Sequence, residues 1–279
     1  MSTVQPSGVG QSQHPLLQHD YQGLCWWCGS TADSREHRHK KADVVRSFGS
    51  GPWPDPVVRV RGGSSYEERI QGPNSDKLKF AKVLCANCNN ARSQPFDLAY
   101  DAFASFLHQN AESVVKTGGF QFSRIYGKNW RDERRALAKY FTKSICCRLA
   151  EDRVRVPQSL IHYMDGSLRD LPSLTLEMNV NMAKYELGVH MRDAHGDGDG
   201  SLWLGDHRII YDQQGDPVGT LSHLGFDWFN LDYQFMFTRR RGRANFFAGD
   251  SVRLERFWPD GFSAGDVARA CQDCNSTST

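Results

Sequence analysis

Two Cys-x-x-Cys motifs, far apart in the chain, constrain its fold more than any other feature. The first runs from Cys25 to Cys28 in "CWWCG", and the second runs from Cys85 to Cys88 in "LCANCNN". Four thiolates in two such pairs are a ligand set that tetrahedral Zn²⁺ prefers. Because four sulfur ligands leave no coordination position for water, the predicted role of this zinc is structural. The motifs therefore predict that one metal ion joins two distant parts of the chain.

The other four cysteines do not repeat this arrangement. Cys146 and Cys147 are adjacent inside a predicted helix, where buried core positions are the favoured interpretation. Cys271 and Cys274 form a third x-x pair near the end of the chain, for which an unliganded or redox-labile pair is the favoured interpretation and a second metal site is the alternative. The N-terminal segment has no secretory signal pattern, and the metal-type spacing argues against disulfides. We therefore expect a reducing, cytoplasmic location.

The composition limits the class of protein without identifying a function. The chain has 279 residues, of which 39% are hydrophobic and 24% are charged, as in ordinary soluble globular proteins. No apolar run approaches the roughly 20 residues that span a membrane, so no membrane partner is predicted. The formal net charge of +2 is close to neutral. Any nucleic-acid binding must therefore depend on local clusters of positive charge.

Composition and periodicity divide the chain into three predicted parts. Residues 1–20 are predicted to be a disordered tail, residues 21–115 a zinc-binding unit, and residues 116–279 a second domain. Between the cysteine pairs, a Gly-, Pro- and Ser-rich stretch with two strand-like pieces predicts a hairpin insertion. Apolar spacing after Pro95 predicts a helix in the first unit, and the segment 132–152 predicts another in the second. The predicted fold class is α+β, with a zinc-stapled unit followed by a domain of helix and antiparallel sheet.

The rest of the second part is dominated by segments that alternate between apolar and polar residues. Such alternation between turn signals is typical of strands. The predicted strands are "LTLEMNV", "AKYELGVHM", "WLGDHRIIYD", "VGTLSHLGFDWF", "YQFMFTR" and "VRLERFW".

Residues that could act in catalysis or bind a metal ion lie between and directly after the cysteine motifs. Glu36 and His37 are adjacent in the polar stretch "EHRHKK", and Asn89 directly follows Cys88. A carboxylate beside an imidazole is common by chance and carries little weight alone. Its place within a zinc-stapled unit favours a reactive site, because an irregular strand end can turn both side chains toward one point.

The order Cys-x-x-Cys, acid–His, Cys-x-x-Cys-Asn resembles that of the zinc-stapled HNH, or ββα-metal, endonucleases over about residues 21–110. The resemblance implies that the four cysteines hold a structural zinc. It also implies that Glu36 and Asn89 bind a catalytic Mg²⁺ or Mn²⁺, and that His37 is the general base. Oxygen ligands suit these ions, and an imidazole with a pKa near ~6.5 can accept a proton from water at neutral pH. A metal-dependent endonuclease that hydrolyses phosphodiester bonds in nucleic acid, preferably DNA, is the leading functional hypothesis.

The chain departs from this family in two places, which keep a second hypothesis open. The residues "RHKKAD" replace the apolar pair and proline that usually follow the acid–His pair. The middle asparagine of the family has no clear counterpart, although Asn74 and Asn87 are both possible. The alternative is a catalytically inactive HNH-fold zinc module that binds nucleic acid or protein.

Basic side chains near these motifs are candidates for contacts with phosphate groups. The run "RRRGR" is either a solvated hairpin tip or part of the same surface. One HNH site cuts one strand, so a double-strand break requires a homodimer or two visits. The second domain is a candidate for target recognition, as in bacterial anti-phage systems. The candidate nucleic-acid contacts are Arg38, Lys40, Lys41, Arg92, Arg239, Arg240 and Arg241.

Overall fold

The structure is a computed structural model, and only part of the chain is described by it. Arg239, Arg240, Arg241, Cys271 and Cys274 lie outside the described residues, so the predictions made for them stay predictions. The described residues are 4–5, 17–53, 57–60, 67–169, 171, 173–195, 202–237, 248–261, 263 and 265–266.

Helices and strands are both abundant in the described part of the chain, so the fold class is α+β. The α-helices are α1 (Lys41–Phe48), α2 (Gln94–Thr117), α3 (Phe122–Tyr126), α4 (Trp130–Glu151), α5 (Gln158–Met164) and α6 (Met182–His195). The strands are β1 (Val4–Gln5), β2 (Val57–Val60), β3 (Glu67–Ile70), β4 (Gly119–Gln121), β5 (Leu174–Asn181), β6 (Leu202–Leu204), β7 (Arg208–Tyr211), β8 (Pro217–Phe226), β9 (Phe229–Met236), β10 (Ser251–Arg253) and β11 (Glu255–Phe257). A π-helix spans Cys88–Arg92, and 3₁₀ helices span Asp76–Leu78 and Gly127–Asn129.

The N-terminal part is built from two extended segments that pair antiparallel and a helix that follows them. The pairing is shown by bridges between Ser34 and Leu84 and between His37 and Lys79. The chain between these segments contains α1 and the β2–β3 hairpin, which confirms the predicted hairpin insertion. The second segment leads through the π-helix into α2.

The two long helices were predicted from apolar spacing, and both predictions are confirmed. Pro95 lies in the first turn of α2, where its missing N–H costs nothing. Gly118 ends the helix with a left-handed φ of 70°, and its N–H reaches the carbonyl groups of Val114 and Val115. The second helix is α4, which covers almost the whole of the predicted segment.

The segment "AKYELGVHM" was predicted to be a strand, and this prediction is wrong because it lies within α6. The side chain of Asn181 accepts a hydrogen bond from the Lys184 N–H at 3.1 Å, which caps the start of the helix. Gly188 permits close contact with the ring of Trp228, whose carbon atoms would lie 3.1 and 3.3 Å from an added Cβ. A short pattern of apolar residues can fit the period of a helix or that of a strand. Here the cap at Asn181 and the contact between Gly188 and Trp228 favour the helix.

The main sheet has the strand order β1-β7-β8-β9-β5-β11, with β6 added beside β8. All its pairings are antiparallel except that of β11 with β5, which is parallel. The predicted strand "VRLERFW" is divided between β10, which pairs with β4 in a separate small sheet, and β11. The predicted antiparallel sheet is therefore correct except at this one edge.

The predicted boundary between residues 115 and 116 does not separate two cores. Tyr100 of α2 stacks on Tyr140 of α4 with 3.9 Å between ring centroids, and Phe103 of α2 contacts Phe226 of β8 edge to face. One hydrophobic cluster includes α2, α4, the main sheet and the two Cys-x-x-Cys turns, residues 25–28 and 85–88, which are called the first and second knuckles below. Just beyond the boundary, an added Cβ at Gly119 would lie 2.1 Å from the Val252 carbonyl oxygen, so β4 and β10 meet there at very close range.

Most of the predicted disordered tail, residues 1–20, lies outside the described residues. Within it, β1 pairs antiparallel with Ile209 and Ile210 of β7. The His19 N–H donates to the Arg153 carbonyl at 2.8 Å. These contacts attach the described parts of the segment to the second half of the chain.

None of the helices in the described residues combines the length and the apolar character that crossing a bilayer requires.

Candidate functional site

The two Cys-x-x-Cys motifs meet in space, as their spacing predicts. The Sγ atoms of Cys25, Cys28, Cys85 and Cys88 all lie within 4.8 Å of one another. The Cys28 and Cys85 sulfurs are 3.6 Å apart. A tetrahedral ion with Zn–S bonds of ~2.3 Å requires S–S separations of roughly 3.8 Å. The four sulfurs can therefore hold a metal ion such as zinc.

Backbone hydrogen bonds shape the first knuckle and join it to the second. The Cys25 N–H donates to Ser30, and the Gly29 N–H returns to the Cys25 carbonyl at 2.9 Å. Gly29 has a φ of 76°, a left-handed conformation that favours glycine at this turn. The Trp26 N–H donates to the Val83 carbonyl at 3.1 Å, which fixes the first knuckle against the segment leading to the second.

Glu36 lies in the first of the two paired segments, where the backbone holds it firmly. Its carbonyl accepts a hydrogen bond from the Phe80 N–H at 2.8 Å, and the Arg38 N–H donates to Leu78 at 2.8 Å. The Glu36 side chain is only 14% exposed. Burial raises the pKa of its carboxyl group, and the nearby Lys143 ammonium opposes this rise.

The Asn89 side chain lies against the residues that precede Glu36. Its Nδ2 donates to Ser34 Oγ at 2.9 Å and to the Arg35 carbonyl at 3.3 Å. Its Oδ1 is buried and has no hydrogen-bond partner in the described part of the protein. An unsatisfied buried acceptor costs about 1–3 kcal/mol, so this oxygen is suited to a bound water or cation. The Asn89 Oδ1 atom therefore fits the role of a neutral metal ligand.

The His37 ring is oriented by a neighbouring backbone group. It hydrogen-bonds to the Pro73 carbonyl, whereas its Nε2 is buried without a partner among the described residues. Burial, followed by the charge of Lys79, lowers the pKa of His37. The neutral imidazole is favoured, and this is the form that accepts a proton. A cavity of about 470 Å³ lies beside Pro73 and is lined also by Lys41 and Asn74.

A buried lysine from the second half of the chain enters this site. The Nζ atom of Lys143, in α4, lies 3.2 Å from Glu36 Oε1 and 3.2 Å from Asp97 Oδ1. It is also 3.2 Å from the hydroxyl of Ser93, and the lysine side chain is only 1% exposed. Burial lowers the pKa of Lys143, but the Glu36 and Asp97 carboxylates outweigh this effect and raise it. The two carboxylates therefore favour the protonated, positively charged form of Lys143 beside Glu36.

Two candidate nucleic-acid contacts are already engaged in ion pairs within the protein. Arg38 donates to both oxygens of the Glu151 carboxylate, at 2.7 and 2.8 Å. Lys40 lies 2.8 Å from Asp101 Oδ2 and also donates to the Asp97 carbonyl. A phosphate group would have to replace these carboxylates to bind the same side chains.

Of the other two candidates, Arg92 is also engaged within the protein, whereas Lys41 is not in an ion pair with the described residues. Arg92 pairs with Asp165, donates to Cys88 Sγ at 3.4 Å and lies over the Trp27 ring at 4.3 Å. Lys41 is exposed, lines the cavity and forms no ion pair with the described residues. Lys41 is therefore the candidate that is best placed to meet a phosphate.

Cys146 and Cys147 are fully buried, which confirms that they are core residues. Burial raises the pKa of both thiols. Asn87 precedes the π-helix and makes no side-chain capping hydrogen bond, and Asn74 lines the cavity beside Pro73.

The contribution of Lys143 and Asp97 was not predicted from the sequence. Lys143 lies three residues after Tyr140 and four before Cys147, on the buried side of α4. A lysine among buried positions requires a carboxylate partner, which is a usable signal. The identity of that partner depends on how α4 packs against α2, and no local pattern shows this.

Asp43 gives the fold a pH dependence that can be measured. This buried residue of α1 accepts a hydrogen bond from the Tyr100 hydroxyl at 2.5 Å and pairs with Arg46. Burial raises the pKa of Asp43 to about 6 from 3.8, although Tyr100 and Arg46 oppose the rise. The folded state thus holds this proton more tightly than the unfolded state. The stabilisation is complete below about pH 4 and is lost as the pH rises through about 6.

We expect Asp43→Asn to remove this dependence. Relative to the variant, the wild type should lose on the order of 3 kcal/mol of unfolding free energy between about pH 4 and pH 6. Chemical denaturation at several pH values measures the difference. Asp132→Asn, which removes an exposed carboxylate of α4, is the control. A difference between wild type and Asp43→Asn that stays constant over this range would contradict the prediction.

No protein-family model matches this chain, and no curated protein or solved structure was found to be similar to it. The resemblance to HNH endonucleases consequently rests on the motif residues alone.

Proposed function

We propose that the protein is a metal-dependent endonuclease of the HNH type that hydrolyses phosphodiester bonds in nucleic acid, with DNA as the preferred substrate. The observation that carries the proposal is a pair of buried polar atoms, His37 Nε2 and Asn89 Oδ1, that have no hydrogen-bond partner among the described residues. His37 follows Glu36 directly in the chain, and the Asn89 amide contacts Ser34 and Arg35 just before it. Buried polar atoms are normally hydrogen-bonded, and exceptions call for a bound ion or water. These are the atoms that a general base and a neutral metal ligand would use.

The four-cysteine site supports the proposal as a scaffold. Zinc is the ion that best suits four thiolates, and it would bind there without an open coordination position. Asn89 immediately follows Cys88, and its N–H donates to the Cys85 carbonyl at 2.9 Å. The zinc would thus hold Asn89 in place against Ser34 and Arg35, which directly precede Glu36.

Each reactive residue has a definable task in this proposal. Glu36 and Asn89 would hold Mg²⁺ or Mn²⁺, which supplies stabilisation of negative charge on the phosphate and on the leaving oxygen. His37 accepts a proton from the attacking water at Nε2, while the Pro73 carbonyl orients its ring. Lys41, which is exposed and lines the cavity, would contact the backbone of the nucleic acid.

Replacement of His37 by alanine tests the catalytic assignment. We expect zinc-loaded His37→Ala to cleave DNA roughly 10²- to 10⁴-fold more slowly than the wild type, because the general base is lost. Cleavage of duplex, single-stranded and branched DNA and of RNA with Mg²⁺ or Mn²⁺ measures the effect. His162→Ala, which removes an exposed imidazole of α5, should behave as wild type. Equal behaviour of wild type and His37→Ala on every substrate would refute the proposal.

A specific observation favours a second candidate, an inactive zinc module that binds nucleic acid or protein. Glu36 is already neutralised by Lys143, and Arg38, Lys40 and Arg92 are engaged in ion pairs. Metal analysis separates the two candidates. The endonuclease should bind an exchangeable divalent ion in addition to zinc, and Glu36→Gln should weaken its binding. The inactive module should bind zinc alone.

A further inference from the structure

The buried cluster around Lys143 has no task in the proposed chemistry. Lys143 reaches Glu36 from α4, more than a hundred residues later in the chain. Its ammonium contacts Glu36, Asp97 and Ser93, each at 3.2 Å. Lys143 also forms a hydrogen bond with the Glu36 carboxylate. The best-defined partner of the candidate metal ligand is therefore a cation that belongs to the protein itself.

The charges of this cluster explain why Lys143 can remain buried and protonated. Two carboxylates, Glu36 and Asp97, face one ammonium group, so the attraction offsets the cost of removing the lysine from water. Lys40 adds a second positive charge on the far side, 3.9 Å from Asp97 Oδ1. A divalent ion at Glu36 would be repelled by the Lys143 ammonium. It would also have to share the Glu36 carboxylate with that ammonium.

We propose that Lys143 competes with the catalytic divalent ion for Glu36 and thereby keeps that ion weakly bound and exchangeable. The inference rests on the proposed function in one respect, since it takes Glu36 as a ligand of the ion. Without the ammonium, Glu36 and Asp97 would form a pair of neighbouring carboxylates. Carboxylates in such a pair are the oxygen ligands that Mg²⁺ and Mn²⁺ prefer.

Mn²⁺ binding to the zinc-loaded protein in the absence of nucleic acid tests the inference. Lys143→Met removes the charge and keeps an unbranched apolar side chain of similar reach. We expect the variant to bind Mn²⁺ at least about tenfold more tightly than the wild type, the scale on which one neighbouring charge shifts a binding affinity. Electron paramagnetic resonance of free Mn²⁺ gives the dissociation constants. Equal or weaker binding by folded Lys143→Met would overturn the inference.

A matched control and a second background keep the test decisive. Lys139→Met removes a charge one turn earlier on α4, where the ammonium binds the Met164 carbonyl, and should leave Mn²⁺ binding unchanged. If Lys143→Met does not fold, the double variant Lys143→Met with Asp97→Asn removes one charge of each sign. It should bind Mn²⁺ at least about tenfold more tightly than Asp97→Asn alone. Equal binding in this pair would also overturn the inference.

The outcomes separate this inference from the proposed function. Tighter Mn²⁺ binding by Lys143→Met, together with no cleavage of any substrate by the wild type, supports the competition and refutes the endonuclease. Cleavage that depends on His37, together with unchanged Mn²⁺ binding in Lys143→Met, supports the endonuclease and refutes the competition.

Discussion

Cys88→Ser is expected to abolish stoichiometric zinc binding and to unfold the region that carries Glu36, His37 and Asn89. Cys88 is completely buried, and its sulfur is one of four that converge from two distant segments. Structural zinc contributes about 10–16 kcal/mol in small zinc-binding peptides, whereas whole domains are stable by only about 5–15 kcal/mol. Loss of the ion would therefore remove a free energy comparable with the whole stability of a domain.

Zinc content and amide hydrogen exchange measure this effect. Residues 25–37 and 85–89 should exchange rapidly in Cys88→Ser and slowly in the wild type, with α4 less affected. Cys146→Ala is the matched control, because it also removes a fully buried thiol but leaves the four ligands intact. It should retain one zinc per chain. A Cys88→Ser protein with full zinc content and a protected knuckle region would show that the site does not depend on this ligand.

The parts of the site that could be predicted from the sequence are those that depend on local chemistry. Cysteine spacing within each knuckle is a property of one turn, and a four-thiolate site needs no further knowledge of the fold. Asn89 was proposed because it adjoins a cysteine of the second motif, and Glu36 and His37 were proposed because they adjoin each other. The antiparallel bridges Ser34–Leu84 and His37–Lys79 bring the segment of Glu36 and His37 against the segment that leads to Asn89.

The parts that could not be predicted are those fixed by packing between distant elements. Lys143 enters the site only because α4 lies against α2, and Arg38 is held by Glu151 at the end of the same helix. Basic residues near a motif were read as candidates for phosphate contact, since their carboxylate partners are far away in the sequence. The same limitation explains why α6 was predicted to be a strand. The cap at Asn181 and the contact with Trp228, which favour the helix, are not visible in the local pattern.

A chain that ends after residue 117, where α2 ends, is expected not to fold, although the sequence predicts a domain boundary between residues 115 and 116. Removing the rest of the chain would expose the face of α2 that carries Tyr100 and Phe103, which are buried against α4 and β8. It would also remove Lys143 and leave Glu36 and Asp97 without their shared ammonium. Zinc alone would then have to stabilise a segment whose apolar surface faces water, and burial of that surface is the main driving force for folding.

Circular dichroism and thermal unfolding of the zinc-loaded fragment 1–117 measure this outcome. We expect no cooperative transition and no nuclease activity. A chain ending at residue 266 is the control, because it keeps α4 and the described strands of the main sheet, and it should unfold cooperatively like the full chain. A fragment that folds, binds zinc and cleaves DNA with His37 dependence would show instead that residues 21–115 are an independent nuclease domain. In that case the second half would be free to act in target recognition. Failure of the fragment, with a folded control, would mean that the second half completes the site, because α4 supplies one of its charged groups.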